Sequence, residues 1–132
     1  MTQPRHRHVQ PTPFGLDEER LDAHGISVIA VQGELDLFTA PELRERLREH
    51  MDDPEPADDL VVDLSGCAFV DASGCQALLR AARQLTAVGR RLAIVNTNPG
   101  NTRIFTVMGL DELFPIVATR AQAVDALRHR ST

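Results

Sequence analysis

Apolar residues recur with two different periods along the chain. Ile26-Ser27-Val28-Ile29-Ala30-Val31 is apolar on nearly both faces of an extended chain, which is the pattern of a strand inside a sheet covered on both sides. Leu16 to Leu21 precedes it across a turn at Ala23-His24-Gly25, so the two segments predict a hairpin. Leu60-Val61-Val62-Asp63-Leu64 and Leu92-Ala93-Ile94-Val95 have the size of buried parallel strands, and Leu113 to Val117 predicts an edge strand interrupted by Pro115. Between these runs the period lengthens. Leu43, Leu47 and Met51 recur at helical spacing with Arg44, Glu45, Arg46, Arg48 and Glu49 on the wet face, until the acidic, proline-containing stretch Asp52 to Pro56. Thr39-Ala40-Pro41-Glu42 ahead of that helix has the form of a capping box. From Cys75 onward, Leu78, Ala81, Ala82, Leu85 and Val88 form the stripe of a second amphipathic helix, with Gly89 at its left-handed end. Thr102 to Met108, closed by Gly109-Leu110, predicts a short third helix after a turn-rich loop from Asn96 to Asn101. Thr119-Arg120-Ala121-Gln122 opens a fourth, with Val124 and Leu127 pointing inward. Ser65 to Gly74 reads as a loop joining the third strand to the second helix.

The resulting order, β-β-α-β-α-β-α-β-α, is that of a hairpin followed by alternating βα units. It predicts an α/β fold with one mixed, mostly parallel sheet, right-handed crossovers and about four helices packed on the sheet. A chain of 132 residues is long enough for one ordinary domain and too short for two. Residues 1–13 carry Pro4, Pro11 and Pro13 among polar residues without periodicity, so they are expected to form a flexible tail and residues 14–132 the domain.

Charge and composition narrow the chemistry. A formal net charge of −5, no Trp or Tyr and 5 Phe give neither a basic stripe for a phosphate backbone nor base-stacking platforms, so nucleic acid is not expected as a partner. No apolar run approaches the length needed to cross a bilayer, and Met1 to Phe14 is polar where a secretory signal would be apolar; a cytoplasmic protein without a membrane partner is expected. Cys67 and Cys75 match neither a zinc motif nor a disulfide framework and read as small buried thiols. His6 and His8 lack further ligands at suitable spacing, so neither metal nor cofactor is expected. GxxxxGK[ST], GxGxxG, HExxH and GxSxG do not occur, and the histidines at 6, 8, 24, 50 and 129 are poorly placed to pair with a nucleophile. An enzyme is not expected.

Ser73-Gly74-Cys75-Gln76 fits an S-x-x-Q capping box, so a structural N-cap is a complete account of the serine on sequence physics. Phe69, Leu78 and Leu85 are expected in the core. Gly33 and Gly74 read as backbone positions that no side chain would fit.

Gly33-Glu34-Leu35-Asp36 followed by Thr39-Ala40-Pro41, then Val61 to Ser65, Phe69, Asp71-Ala72-Ser73-Gly74, Leu78-Leu79, Gly89 and Gly109-Leu110-Asp111 to Phe114 resemble the STAS domain of bacterial anti-sigma factor antagonists. The resemblance covers nearly everything after the tail and is ordered as in that family. It implies a protein-binding switch: Ser73 matches the serine that an anti-sigma factor serine kinase phosphorylates, and Ala72 stands where many relatives carry a second serine. It further implies a partner surface of Asp36, Asp71, Ala72, Ser73 and Gly74, with a PP2C-type phosphatase to reset the switch in a monomer or weak dimer. Asp71 either orients the serine hydroxyl or caps free amides in the turn, and Asp36 is either a partner contact or a helix N-terminal charge. A scaffold or sensory STAS subunit of a stress-signalling assembly, or an accessory STAS subunit of a transporter, is the alternative.

Overall fold

The computed structural model describes residues 12–21, 25–52 and 59–128. The expected tail therefore lies outside the described residues except for Thr12 and Pro13, as do Ala23 and His24 of the hairpin turn. In chain order the elements are β1 (Gly15–Leu21), β2 (Ile26–Leu35), α1 (Ala40–Asp52), β3 (Asp59–Val70), α2 (Ala72–Ala87), β4 (Leu92–Val95), α3 (Pro99–Val107), a 3-10 turn (Leu110–Glu112), β5 (Ile116–Val117) and α4 (Arg120–Arg128). They form one five-stranded sheet in the order β1-β2-β3-β4-β5, with β1 antiparallel to β2 and every other pair parallel. This is the mixed α/β architecture that the pattern predicts.

The two faces of the sheet follow from strand alternation. Ile29, Val31, Leu60, Val62, Leu92 and Ile94 point into the larger core, which they share with Leu43 and Leu47 of α1, Leu78 and Leu85 of α2 and Phe105 of α3. Ile26, Val28, Val61, Ala93 and Val95 point the other way and are covered by Ala123 and Leu127 of α4. Burying both faces is what an apolar, non-alternating strand requires.

On that second face Asp63 is buried among apolar side chains and is held from two sides. Its Oδ1 accepts hydrogen bonds from the Ser65 amide (2.9 Å) and hydroxyl (2.6 Å), and its Oδ2 accepts one from Arg120 Nε (2.7 Å). Arg120 also reaches Glu19 of β1 (3.0 Å), so one guanidinium ties α4 to both β3 and the edge strand. Burial pushes the Asp63 carboxyl upward, but the hydrogen bonds from Ser65 and Arg120 outweigh it and hold the carboxyl below the ordinary range.

Several boundaries differ from the sequence expectation. β3 continues through Ser65–Val70, which reads as loop, because β2 is long enough to pair with it as far as Leu35↔Val70. α3 starts at Pro99, with Asn98 as N-cap accepting from the Gly100 amide (2.8 Å); an asparagine N-cap and proline in the first turn are a familiar start signal. The edge strand shrinks to Ile116–Val117, since Leu110–Glu112 winds into a 3-10 turn ahead of Pro115. Val88 is 62% exposed, because the helix ends at Ala87 and Val88 is its C-cap; Gly89 follows in the left-handed region as expected. At α4 the expected start holds: Thr119 Oγ1 accepts from the Gln122 amide (3.1 Å) while Gln122 Oε1 accepts from the Ala118 amide (2.9 Å).

Candidate functional site

The carboxyl ends of β2 and β3 lie side by side, and each turns directly into a helix. At the end of β2, Asp36 Oδ1 accepts from the amides of Phe38 (2.9 Å) and Thr39 (3.1 Å), winding residues 36–39 into a tight turn. Thr39 Oγ1 accepts from the Asp36 amide (2.9 Å) and donates to the Glu34 carbonyl (2.7 Å). The capping box expected at Thr39 therefore does not form; its hydroxyl turns back to the strand. Asp36 is a turn-former, and the turn it makes carries Leu37 and Phe38 on the outside, 64% and 85% exposed.

At the end of β3, the Asp71 amide donates to the Leu35 carbonyl (3.1 Å), which welds the two strand ends together. Asp71 is the N-cap of α2: its backbone is extended, and its Oδ1 accepts from the Gly74 amide (3.1 Å). The cap predicted for Ser73 is thus a correction. α2 begins at Ala72, two residues earlier than the S-x-x-Q match implies, because Asp71 already occupies the capping position. Of the two readings of Asp71, the turn carboxylate that satisfies free amides is the observed one. Ser73 is left as a half-exposed residue in the first helical turn, and among the described residues its hydroxyl makes no hydrogen bond. Ala72 beside it is exposed.

Gly74 fixes how close the helix comes. A Cβ there would meet Leu35 Cγ at 2.8 Å, Leu35 O at 2.9 Å and Val70 Cγ1 at 2.9 Å, so only glycine lets α2 start against the paired strand ends. Gly33 is required for a similar reason. Its φ is +90° and its missing Cβ leaves room for Phe14 Cα and Thr12 O, each 2.9 Å from the position a Cβ would take.

The second half of β3 has a support that sequence reasoning missed. Beyond Asp63, which pairs with Val95, β4 ends and β3 loses that neighbour. Asn101 takes its place: buried at 2% exposure, it accepts from the Val70 amide through Oδ1 (3.0 Å) and donates from Nδ2 to the Cys67 carbonyl (3.2 Å). Asn98 Nδ2 donates to the Ala68 carbonyl (2.9 Å). The only local signal was the Asn98-Pro99 helix start; nothing near Asn101 announces partners 31 and 34 residues away.

Phe69, expected in the core, is 49% exposed. The β2–β3 register explains it: Gly33 pairs with Cys67 and Glu34 with Phe69, so Ala68 is an extra residue on β3. Such a bulge reverses the in-out phase, turning Phe69 outward while Cys67 and Val70 stay buried. Phe38 and Phe69 are thus exposed aromatic side chains near the carboxyl ends of β2 and β3.

The thiols are unsuited to nucleophilic work. Burial, and then the nearby Asp71 carboxylate, pushes Cys75 up to about 11; burial also raises Cys67. Among the described residues no group of three or more His, Cys, Asp or Glu is placed to hold a metal ion. No described helix is long and apolar enough to cross a membrane.

The fold agrees with that of similar proteins. Residues 19–118 match the sequence model of the family described as "Mlab, STAS domain". The chain is 31% identical over 107 residues to the anti-sigma-F factor antagonist RsfB of Mycobacterium tuberculosis (strain ATCC 25618 / H37Rv), covering 81% of this chain and 85% of that protein. An anti-sigma factor antagonist from Mycobacterium paratuberculosis superposes with a TM-score of 0.79 at 31% identity, covering 88% of this chain and 95% of that one. The Bacillus cell fate determinant SpoIIAA in its phosphorylated form superposes with a TM-score of 0.65 at 25% identity, covering 88% of this chain and 100% of that one. The chain belongs to the STAS-domain anti-sigma factor antagonist family, a family of regulatory proteins and not of enzymes.

Proposed function

We propose that this chain is an anti-sigma factor antagonist operated by phosphorylation of Ser73. In the unphosphorylated form it binds an anti-sigma factor that is also a serine kinase, and so frees a sigma factor. Transfer of phosphate to Ser73 ends the complex, and a PP2C-type phosphatase restores it.

The observation that carries the reading is the state of Ser73: half-exposed, in the first turn of α2, and with a hydroxyl free of hydrogen bonds among the described residues. A serine needed as a cap would have its oxygen engaged by a helix amide; here Asp71 does that work, so the hydroxyl is available to a kinase. Ala72 leaves no competing hydroxyl next to it. Similarity to SpoIIAA, which is described in a phosphorylated form, points the same way.

Charge supplies the switching force. A phosphoserine adds about −1.5 to −2 units at neutral pH beside the Asp71 carboxylate. The domain itself tolerates this, because a helix N-terminus favours an anion and Ser73 faces solvent. A partner packed over Phe38, Phe69 and Ser73 must desolvate that dianion, at a cost of several kcal/mol unless it supplies matching cations. Asp36 acts on this surface indirectly, by holding the turn that presents Phe38.

The test is phosphate incorporation. Wild type and Ser73→Ala are incubated with the anti-sigma factor kinase and ATP, and intact mass is read. One added phosphate on wild type and none on Ser73→Ala is expected; equal incorporation in the two would contradict the assignment.

A further inference from the structure

We infer that the groove between α1 and α2 receives an acidic segment of the partner that covers Ser73, so that this groove, and not only the strand-end surface, sets partner affinity. The inference rests on the partner-switch reading above and adds a second, electrostatic contact region to it.

The groove encloses about 340 Å³. Its floor is apolar, made by Leu47 of α1 and the small side chains of Ala77 and Ala81 of α2, all at 2% exposure or less. Its rim is cationic: Arg44 and Arg48 stand on α1 and Arg80 on α2, against a single carboxylate, Glu45. Arg48 is already engaged by Glu45 and Asp52. Arg44 and Arg80 are exposed, and neither has an ion-pair or hydrogen-bond partner among the described residues. Two guanidinium groups without partners among the described residues, on opposite walls of one groove, run counter to a chain whose net charge is −5.

Position connects the groove to the site. Ser73, Ala77, Arg80 and Gln84 are spaced by four, three and four residues and so lie on one stripe of α2. Pro41, Arg44 and Arg48 do the same on α1, directly after the turn that exposes Leu37 and Phe38. The groove therefore opens at the Ser73 end and runs away from it, reaching Arg80 after about 10 Å at the helical rise per residue. A protein seated on Phe38 and Ser73 meets the groove as the next surface. Carboxylates suit it: guanidinium forks bind them in bidentate fashion, and the alanine floor accommodates the methylene stems of Glu side chains. Local attraction in a molecule of net negative charge also helps orient an acidic partner.

The experiment is calorimetric titration of each purified serine-kinase anti-sigma factor from the same genome into wild type, Ser73→Asp, Arg44→Glu/Arg80→Glu, Arg44→Gln/Arg80→Gln and a control, Arg83→Glu/Arg103→Glu. Thermal melts establish that each variant is folded. The charge reversal is expected to weaken binding by at least about tenfold and the glutamine pair by about threefold, with a flatter dependence on salt than wild type, while the control stays within about twofold. If Ser73→Asp weakens binding but the charge reversal does not, the groove proposal is wrong and the phosphoswitch stands. If the control loses as much as the groove variant, the effect is general charge and the groove proposal is again wrong. Displacement of the partner from wild type by millimolar inorganic phosphate would mark a small-anion site and overturn it too. Failure of wild type to bind any of these kinases would overturn both readings together.

Discussion

Residues Leu60–Asp63 of β3 lie between β2 and β4 and are all buried, whereas Ser65–Val70 have β2 on one side and asparagine side chains on the other. The first half is held by what its own sequence provides, apolar side chains on both faces and a complete backbone ladder. The second half has β4 only as far as Asp63 and is instead pinned by Asn98 and Asn101 from α3. It also carries an extra residue opposite Ala30–Gln32 and another at Ala68, which bend the strand and turn Phe69 outward. The lesson is that one strand serves as both core and platform, and that the change from one to the other occurs where ladder bonds give way to side-chain bonds. Irregular backbone there is what turns Phe69 outward just ahead of the start of α2.

Substitutions in the platform should act on shape as well as stability. Asn101→Ala leaves the Val70 amide and Cys67 carbonyl buried without partners, and about 3 kcal/mol of stability should be lost in urea unfolding. Val62→Ala, in the core half, is expected to cost about 2 kcal/mol by cavity formation alone. The two should differ in hydrogen exchange at residues 66–70, which rises specifically in Asn101→Ala. Uniform exchange changes in both variants would erase the distinction between the halves.

Gly74→Ala tests the closeness of α2 to the platform. The added Cβ would sit 2.9 Å from a backbone oxygen that has little freedom to move, so a loss of about 2 kcal/mol is expected in thermal unfolding, with a shift of the α2 amide resonances.

Asp63 stands at the junction, receiving Ser65 from the platform side and Arg120 from α4. Its carboxyl is held below the ordinary range when folded, so the stability it contributes is present above the unfolded carboxylate range, near pH 3.9, and is lost as pH falls through the lowered folded value. Asp63→Asn should therefore be less stable than wild type by about 1–2 kcal/mol at pH 7, with Arg120's exposure keeping the figure modest, and the gap should narrow under acid. A gap independent of pH would contradict the ion pair.

The smallest effects discriminate the two polar residues at the start of α2. Asp71→Ala removes a cap and should cost about 1 kcal/mol, whereas Ser73→Ala should change stability by less than about 0.5 kcal/mol, because its hydroxyl makes no hydrogen bond among the described residues. Equal losses would return the serine to a capping role.

The legible part of this molecule is the part fixed by local period. The strands from Ile26, Leu60 and Leu92 and the α1 and α2 stripes could be read directly, because burial on one or two faces imposes a repeat of two or 3.6 on apolar residues. The Gly33–Asp36 and Asp71–Gly74 segments could be located, with Gly33 and Gly74 understood as close-approach positions. What escaped was non-local. The extension of β3 through Ser65–Val70 depends on pairing with β2 and on two asparagines at the start of a helix that follows much later, and the bulge that exposes Phe69 arises from that same pairing, in a segment read as loop. At α2 two residues competed for one capping position, and spacing alone did not decide between Asp71 and Ser73.

The central claim is that Ser73 is kept chemically idle in the fold so that its charge state can govern a partner. Ser73→Asp titrated calorimetrically into the anti-sigma factor kinase, beside a thermal melt, tests it most directly. The account predicts a melting temperature close to wild type together with a partner affinity reduced by more than about tenfold, since burying an unpaired carboxylate readily exceeds the 1.4 kcal/mol that a decade represents. Affinity indistinguishable from wild type in a folded Ser73→Asp protein would contradict it.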